Sequence, residues 1–195
     1  MVAFQSMSRA LGREVRLARL SAPVTAARVW LAILCSISAP TRATTVRAVA
    51  RVAGVAWALP WSLAGLLAGL AGMLGGARPV ASRRDLALVF VHWPWGPGGA
   101  MTLGNVVLAT GPHLDTPCTT YEHRAGWCRH PQVRLGDHER AHVYQYMLLG
   151  PLFVPLYFLC GGISVRNPLE RAADHYALHG HGWWPWRWPR GPQSS

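Results

Sequence analysis

Residues 138–142 are His-Glu-Arg-Ala-His, a spacing that could hold a metal ion. Histidines four residues apart lie on one face of a helix, so both imidazoles can reach the same ion. Glu139 would then lie beside an open coordination position, where it could take a proton from water. The pattern alone also fits a surface helix with two ordinary histidines.

A second group of candidate residues begins at Arg166, 24 residues after His142. Pro168 suits the first turn of a helix, which would place Glu170 and Asp174 one turn apart on one face. A catalytic zinc keeps three protein ligands and one open position, so Glu170 could be the third ligand. Asp174 could accept the free ring N–H of a ligating histidine. The alternative is an exposed helix with solvated charges.

Together the two motifs, H-E-x-x-H and E-x-x-A-D, resemble those of the gluzincins, most closely the membrane-embedded metallopeptidases of the HtpX and CAAX-prenyl-protease type. The resemblance implies hydrolysis of peptide bonds, in a peptide or membrane-protein substrate, by a water molecule that Zn²⁺ activates. It also implies roles for individual residues: zinc ligands His138, His142 and Glu170, general base Glu139, and Asp174 hydrogen-bonded to a ligand.

The chain is also similar to small bacterial membrane proteins that share H-E-x-x-H-x-x-Q, a following Gly-Pro, and N-P-x-E. Here these features are Gln145, Gly150-Pro151 and the stretch from Asn167 to Glu170. This likeness covers roughly residues 52–178 and carries no known activity. It keeps open the alternative of a non-catalytic bacterial membrane protein with a vestigial or structural metal site. The insert between the motifs is short, and the sequence shows no clear edge strand for binding a substrate.

The group that would stabilise the transition state is not determined by spacing. His175, Tyr176 and Arg171 lie on the second predicted motif helix and are candidates. His175 or His179 could alternatively serve as a metal ligand.

The elements that must position these residues include an uncharged stretch, residues 52–77, between Arg51 and Arg78. As one helix, its 26 residues would measure about 39 Å, more than the roughly 30 Å of a bilayer core. We therefore predict a transmembrane helix, kinked at Pro60, with small residues that let another helix approach closely. A helix buried in a soluble core is the alternative.

Residues 147–163, between the two motifs, are apolar and impose a topological constraint. If they crossed a bilayer, the histidines and Glu170 would lie on opposite sides and could not share a metal. Because Pro151 and Pro155 interrupt the segment, we predict that it enters one leaflet or packs on the 52–77 helix, and returns to the same side.

The remaining part of the predicted zincin-like domain, residues 85–178, has β character. Residues 86–91 and 101–109 predict two strands joined by a Gly/Pro turn, as a hairpin or small sheet. Residues 111–136 predict a long loop in which Cys118 and Cys128 could pair or join a metal site. The predicted fold class is thus an α+β membrane protein: a transmembrane helix, a small hairpin or sheet, and two zincin-like motif helices separated by a short apolar membrane-contacting segment.

Charge and composition also favour a membrane location. Only 14% of residues are charged, the net charge is +11, and the basic N-terminal segment, residues 1–51, contributes +7 of it. A basic segment before an apolar run is typical of the cytoplasmic flank of a membrane span. We therefore expect membrane lipid as a partner, in a bacterial inner membrane, and no nucleic acid.

The Trp/Arg-rich tail, residues 179–195, fits an interfacial anchor or an end without a role. A third hypothesis is an Arg/Trp-rich membrane-binding protein in which H-E-x-x-H is coincidental. The oligomeric state and the side of the membrane that holds the site are left open.

Overall fold

The computed structural model describes residues 42–96, 98–129 and 132–187. The chain divides into two units, Met1–Ala48 and Val49–Ser195, and only residues 42–48 of the first are described. The predictions for residues 1–41 and for 188–195 of the tail therefore lie outside the described residues.

A mixed four-stranded sheet forms the centre of the second unit, in the order β1-β2-β4-β3. Its strands are β1 Arg78–Ser82, β2 Ala87–Val91, β3 Ala100–Leu103 and β4 Val106–Ala109. The two central strands, β2 and β4, pair in parallel and are mostly buried, as their near-continuous apolar sequences require. The edge strands β1 and β3 each pair antiparallel with one neighbour.

The strand prediction for residues 101–109 differs from the structure. The prediction is one strand, in a hairpin or small sheet with residues 86–91; the small sheet is present, but the chain turns at Gly104 and Asn105 to form the β3–β4 hairpin. Gly104 has a φ of +62°, which a glycine adopts without steric cost. The backbone amide of Asn105 donates to Ser62 Oγ at 2.9 Å, so the turn is also anchored to a neighbouring helix.

The predicted transmembrane helix over residues 52–77 is wrong, because two helices share that stretch. Helix α1 covers Arg42–Trp57, and helix α2 covers Leu59–Met73. Pro60 lies in the first turn of α2, where it has no amide hydrogen to continue a helix from α1. Among the described residues, no single helix is long and apolar enough to cross a membrane. Thr45–Trp57 and Leu59–Met73 reach that length and apolar character only as a pair, and the chain bends by 63° between them.

Helix α2 packs on the sheet through its glycines. Gly65, Gly69 and Gly72 are the buried residues of α2. A Cβ at Gly65 would lie 2.8 Å from the Cβ of Val106, and one at Gly69 would overlap the Phe90 ring. The small residues thus allow close approach to the strands, where we had expected a second helix.

Two packed helices carry the candidate motifs. Helix α4 covers Leu135–Leu149 and helix α6 covers Pro168–His179. As predicted, α6 begins at its proline, and Asn167 Oδ1 accepts the amide of Leu169 at 2.9 Å as the N-cap. Helix α4 begins one turn before the H-E-x-x-H motif, so the motif lies in regular helix.

The apolar segment between the motif helices turns back on itself. It contains a 3₁₀ turn, Gly150–Leu152, and helix α5, Phe153–Leu159. Trp61 Nε1 donates to the carbonyl oxygen of Pro151 at 3.1 Å, so the segment packs on α2. Packing on the 52–77 stretch is one of the two predicted arrangements, and the turn of the segment brings α6 back beside α4.

The long loop of residues 111–136 contains a short helix, α3 Tyr121–Arg124, and a two-residue strand pair, β5 Pro117–Cys118 and β6 Val133–Arg134. Cys118 and Cys128 do not pair with each other, and Cys128 Sγ donates to Glu122 Oε2 at 3.8 Å.

A buried carboxylate fastens this loop to α4. Asp85 accepts hydrogen bonds from Arg134 Nη1 at 2.9 Å and from Arg140 Nη2 at 3.0 Å. Burial raises the pKa of Asp85, but the hydrogen bonds, led by that of Arg134, lower it below its usual value. Arg140, one of the two variable positions of H-E-x-x-H, therefore attaches α4 to Asp85, which lies between strands β1 and β2.

We predict that Gly69→Val destabilises the fold by about 1–3 kcal/mol, because the new side chain would collide with the buried Phe90 ring. Ala71→Val, at an exposed position of the same helix, is the matched control and should change the free energy of unfolding by less than about 0.5 kcal/mol. Denaturant unfolding measures both. Equal stability of the two variants would contradict the packing of α2 described above.

Candidate metal centre

Helices α4 and α6 bring three ligand atoms together: His138 Nε2, His142 Nε2 and Glu170 Oε2. The two nitrogens are 3.2 Å apart, and the carboxylate oxygen lies 3.2 Å from the first and 3.4 Å from the second. All three side chains are buried. Within the described ranges, no other group of three His, Cys, Asp or Glu side chains converges in this way, and this group could hold a metal ion.

The geometry of this triangle fits a metal ion. Ligand atoms about 2.05 Å from a tetrahedral metal are about 3.3 Å from one another, close to the observed separations. Glu170 Oε2 is buried without a hydrogen-bond partner in the described structure, since the two imidazole nitrogens lie near it but not in hydrogen-bonding geometry. A cation would satisfy this orphaned oxygen.

The first histidine is oriented by a buried carboxylate. Asp174 Oδ1 lies 2.9 Å from His138 Nδ1, and its Oδ2 accepts the backbone amide of Tyr121 at 2.7 Å. Since the carboxylate can only accept, His138 Nδ1 carries the hydrogen, and the Nε2 lone pair faces the centre. Asp174 thus has the position predicted for it.

The second histidine is oriented by Gln145. Its Oε1 lies 2.8 Å from His142 Nδ1, while its Nε2 donates to the carbonyl oxygens of Leu169 and Trp183 at 3.0 and 2.9 Å. The two carbonyls fix the amide so that its oxygen faces His142. The second imidazole therefore also presents an Nε2 lone pair to the centre. The tail thereby takes part in the site through the Trp183 backbone.

Glu139 lies at the same centre and is held by a residue that the sequence analysis missed. Thr102 Oγ1, on edge strand β3, donates to Glu139 Oε2 at 2.6 Å. Both side chains are buried. Thr102 has no local motif, and only the pairing of β3 with β4 brings it to α4.

A cavity of about 600 Å³ opens onto these residues. Edge strand β3 forms one wall, and aromatic and aliphatic side chains from α2 and residues 153–163 form another. The edge strand that the sequence did not reveal is therefore present and borders the candidate centre.

Tyr157 is a second residue that the sequence analysis missed. Its hydroxyl donates to Glu170 Oε1, and its ring lies 6.4 Å from that of His142, between centroids. Burial, followed by the negative charge of Glu170, raises the pKa of Tyr157, so its hydroxyl stays protonated and can donate. It is the only tyrosine in the apolar segment 147–163, which is the signal that could have identified it.

The three residues predicted as transition-state donors lie elsewhere. Arg171 Nε pairs with Glu122 at 2.7 Å, and Tyr176 packs edge-on against a tyrosine of α4. His175 stacks on His179, the other histidine considered as a ligand, with ring centroids 4.2 Å apart. None of these four borders the cavity.

Without a metal, the cluster takes up protons. Burial lowers the pKa of His138, but its interactions with Asp174 and Glu170 outweigh burial and raise it well above the usual value. The pKa of His142 is raised in the same way, chiefly by the charge of Glu170. Burial raises the pKa of Glu170, but the two histidines outweigh it and the net direction is downward.

No protein-family model matches the chain, and no curated protein or solved structure is significantly similar to it. The resemblance to gluzincins therefore stays a prediction that rests on the two motifs.

We predict that the affinity for a divalent metal such as Zn²⁺ rises with pH. The raised pKa values of His138 and His142 mean that the metal must displace protons, and each displaced proton contributes about tenfold in affinity per pH unit below the folded pKa. Isothermal titration between pH 6 and 8, in buffers of different ionisation enthalpy, measures the affinity and the protons released.

The matched control is His179→Ala, which removes an exposed histidine outside the cluster and should leave this pH dependence unchanged. An affinity that is independent of pH in the parent chain would contradict ligation by the two buried histidines.

Proposed function

We propose that the protein is a zinc-dependent hydrolase of the metallopeptidase type, similar to the gluzincins. The observation that carries this proposal is the convergence of His138 Nε2, His142 Nε2 and Glu170 Oε2, with Glu139 at the same cavity.

The donor set supports zinc. Two imidazoles and one carboxylate are a common ligand set of catalytic zinc, and three protein ligands leave one position for water or substrate. When bound, zinc supplies Lewis-acid activation of water and of the substrate carbonyl. The other chemistry belongs to the side chains around it.

Glu139 is the proposed general base. Thr102 engages only one of its carboxylate oxygens, Oε2, and fixes the side chain at the cavity. Glu139 would take the proton of the attacking water and pass it to the amine of the leaving fragment. Holding the base in place before the reaction reduces the orientational cost of that transfer.

The edge strand supports a peptide as the substrate. Among the described strands β3 pairs only with β4, and its residues border the cavity. An extended peptide could add to the sheet at this edge through backbone hydrogen bonds. It would then pass beside Thr102 and the base that Thr102 holds.

Tyr157 is the proposed donor to the transition state. Its hydroxyl is already at the ligand Glu170 and stays protonated, so it could donate to the negatively charged oxygen that develops on the scissile carbonyl. This role replaces the earlier candidates, which do not border the cavity.

The main test combines metal content with hydrolysis. We expect about one zinc per chain, by mass spectrometry of the purified protein, and loss of zinc in His142→Ala and Glu170→Ala. Glu139→Gln should keep the zinc but lower kcat/KM for a library of quenched fluorescent peptides by roughly 10²–10⁴-fold. Glu122→Gln, which alters a carboxylate paired with Arg171 away from the cavity, is the matched control and should hydrolyse like the parent.

The results separate the alternatives. Tightly bound zinc with no hydrolysis of any peptide would favour the non-catalytic protein with a structural metal. Zinc absent from the parent, or unaffected by Glu170→Ala, would contradict the gluzincin hypothesis.

A further prediction concerns Tyr157→Phe. If the hydroxyl acts in the transition state, kcat should fall by about 10²–10³-fold while KM and zinc content stay near those of the parent. A variant that instead loses zinc, with kcat per bound zinc unchanged, would show that the hydroxyl only positions Glu170.

A further inference from the structure

We propose that the outer face of helix α2, together with exposed apolar residues of the segment 152–163, docks into one leaflet of a lipid membrane. The proposal begins with the unusual pattern of α2. The fully buried residues of α2 are glycines, with Trp61 and Leu66 half-buried beside them, and its exposed face carries large apolar residues. These residues and their exposures are Leu59 49%, Leu63 50%, Leu67 68%, Leu70 49% and Met73 43%, followed by Leu74 at 94% just after the helix.

This arrangement is the reverse of the one expected for an amphipathic helix on the surface of a protein in water. In water, a helix gains most by burying its leucines, and small residues can face the solvent at little cost. In lipid that gain is absent, and helices pack through small residues that let backbones approach closely. The structure of α2 therefore follows the rule for a lipid environment.

The polar groups of α2 also support lipid as the partner. Ser62 is the only hydroxyl residue of the helix, and its Oγ is used internally, donating to the carbonyl of Ala58 at 3.0 Å. A protein-binding face usually has a polar rim around an apolar centre. The outer face of α2 offers no polar group for such a rim.

Basic residues stand at both ends of the uncharged stretch. Arg51 precedes it, Arg78 follows it, and both are exposed. Arginines in these positions can reach the headgroups while the apolar residues between them enter the acyl region. The charge pattern is thus complementary to an anionic lipid surface.

A second exposed apolar group extends the face toward the cavity. Leu152, Phe158, Leu159 and Ile163 are between 62% and 85% exposed. Phe158 and Ile163 also border the cavity, as does Trp61 of α2. One step rests on the proposed function: if that function holds, the cavity binds a polypeptide substrate at the membrane surface.

The test is flotation of the full chain with vesicles of phosphatidylcholine and phosphatidylglycerol. We expect the parent to float with the vesicles, and Leu67→Glu to reduce the bound fraction about tenfold or more because it places a charge in the apolar face. The matched control is Val80→Glu, which changes an apolar residue of similar exposure on edge strand β1 and should float like the parent.

Circular dichroism and denaturant unfolding establish that Leu67→Glu is folded, and Leu67→Ser provides a milder change of the same face. Glu139→Gln should float like the parent, so a failure of the proposed hydrolysis would leave lipid docking unaffected. Parent protein that stays below the vesicles, or Leu67→Glu that floats like the parent, would overturn the proposal. So would a soluble dimer that Leu67→Glu dissociates, with no vesicle binding, because a second copy would then cover the face.

Discussion

The arrangement of this protein depends on one constraint: three buried ligand atoms direct their lone pairs at the same point. His138 and His142 each use Nδ1 for an outer hydrogen bond, so each presents Nε2 to the carboxylate of Glu170. Three such atoms within 3.4 Å of one another repel unless a positive charge lies between or on them. Protons can supply it, as the raised histidine pKa values indicate, and a metal ion can replace them.

Meeting this constraint requires a chain reversal between two helices that are far apart in sequence. Asn167 closes that reversal: its Nδ2 donates to the carbonyls of Gly162 and Tyr157 at 2.8 and 3.2 Å, and its Oδ1 caps α6. One buried side chain thus ends the return segment and starts the helix that carries Glu170. The same reversal places Tyr157 at the cluster, so the apolar segment contributes a functional group as well as a connection.

The parts of the site that follow helical spacing could be predicted, and those that depend on tertiary packing could not. His138 and His142, and likewise Glu170 and Asp174, lie at a fixed offset within a helix, so local periodicity placed each pair on one face, and the resemblance of the two motifs joined the pairs. Thr102 and Tyr157 reach the cluster only through strand pairing and chain reversal, which leave no pattern in the sequence. For the uncharged stretch before the sheet, hydropathy indicated the apolar character and Pro60 indicated a kink, but neither predicted that the chain would form two separate helices, α1 and α2, on either side of Ala58.

The exposed helix and the buried cluster are linked through the two faces of one strand. Successive residues of a strand point to opposite sides. On β3, Leu103 lies against α2, where a Cβ at Gly65 would come within 2.9 Å of it, while its neighbour Thr102 holds Glu139 on the other side. A strand that must satisfy both faces has little freedom to shift. Gly65 therefore does more than permit close packing: it determines how closely β3 approaches α2, and through Thr102 it affects the position of the proposed base.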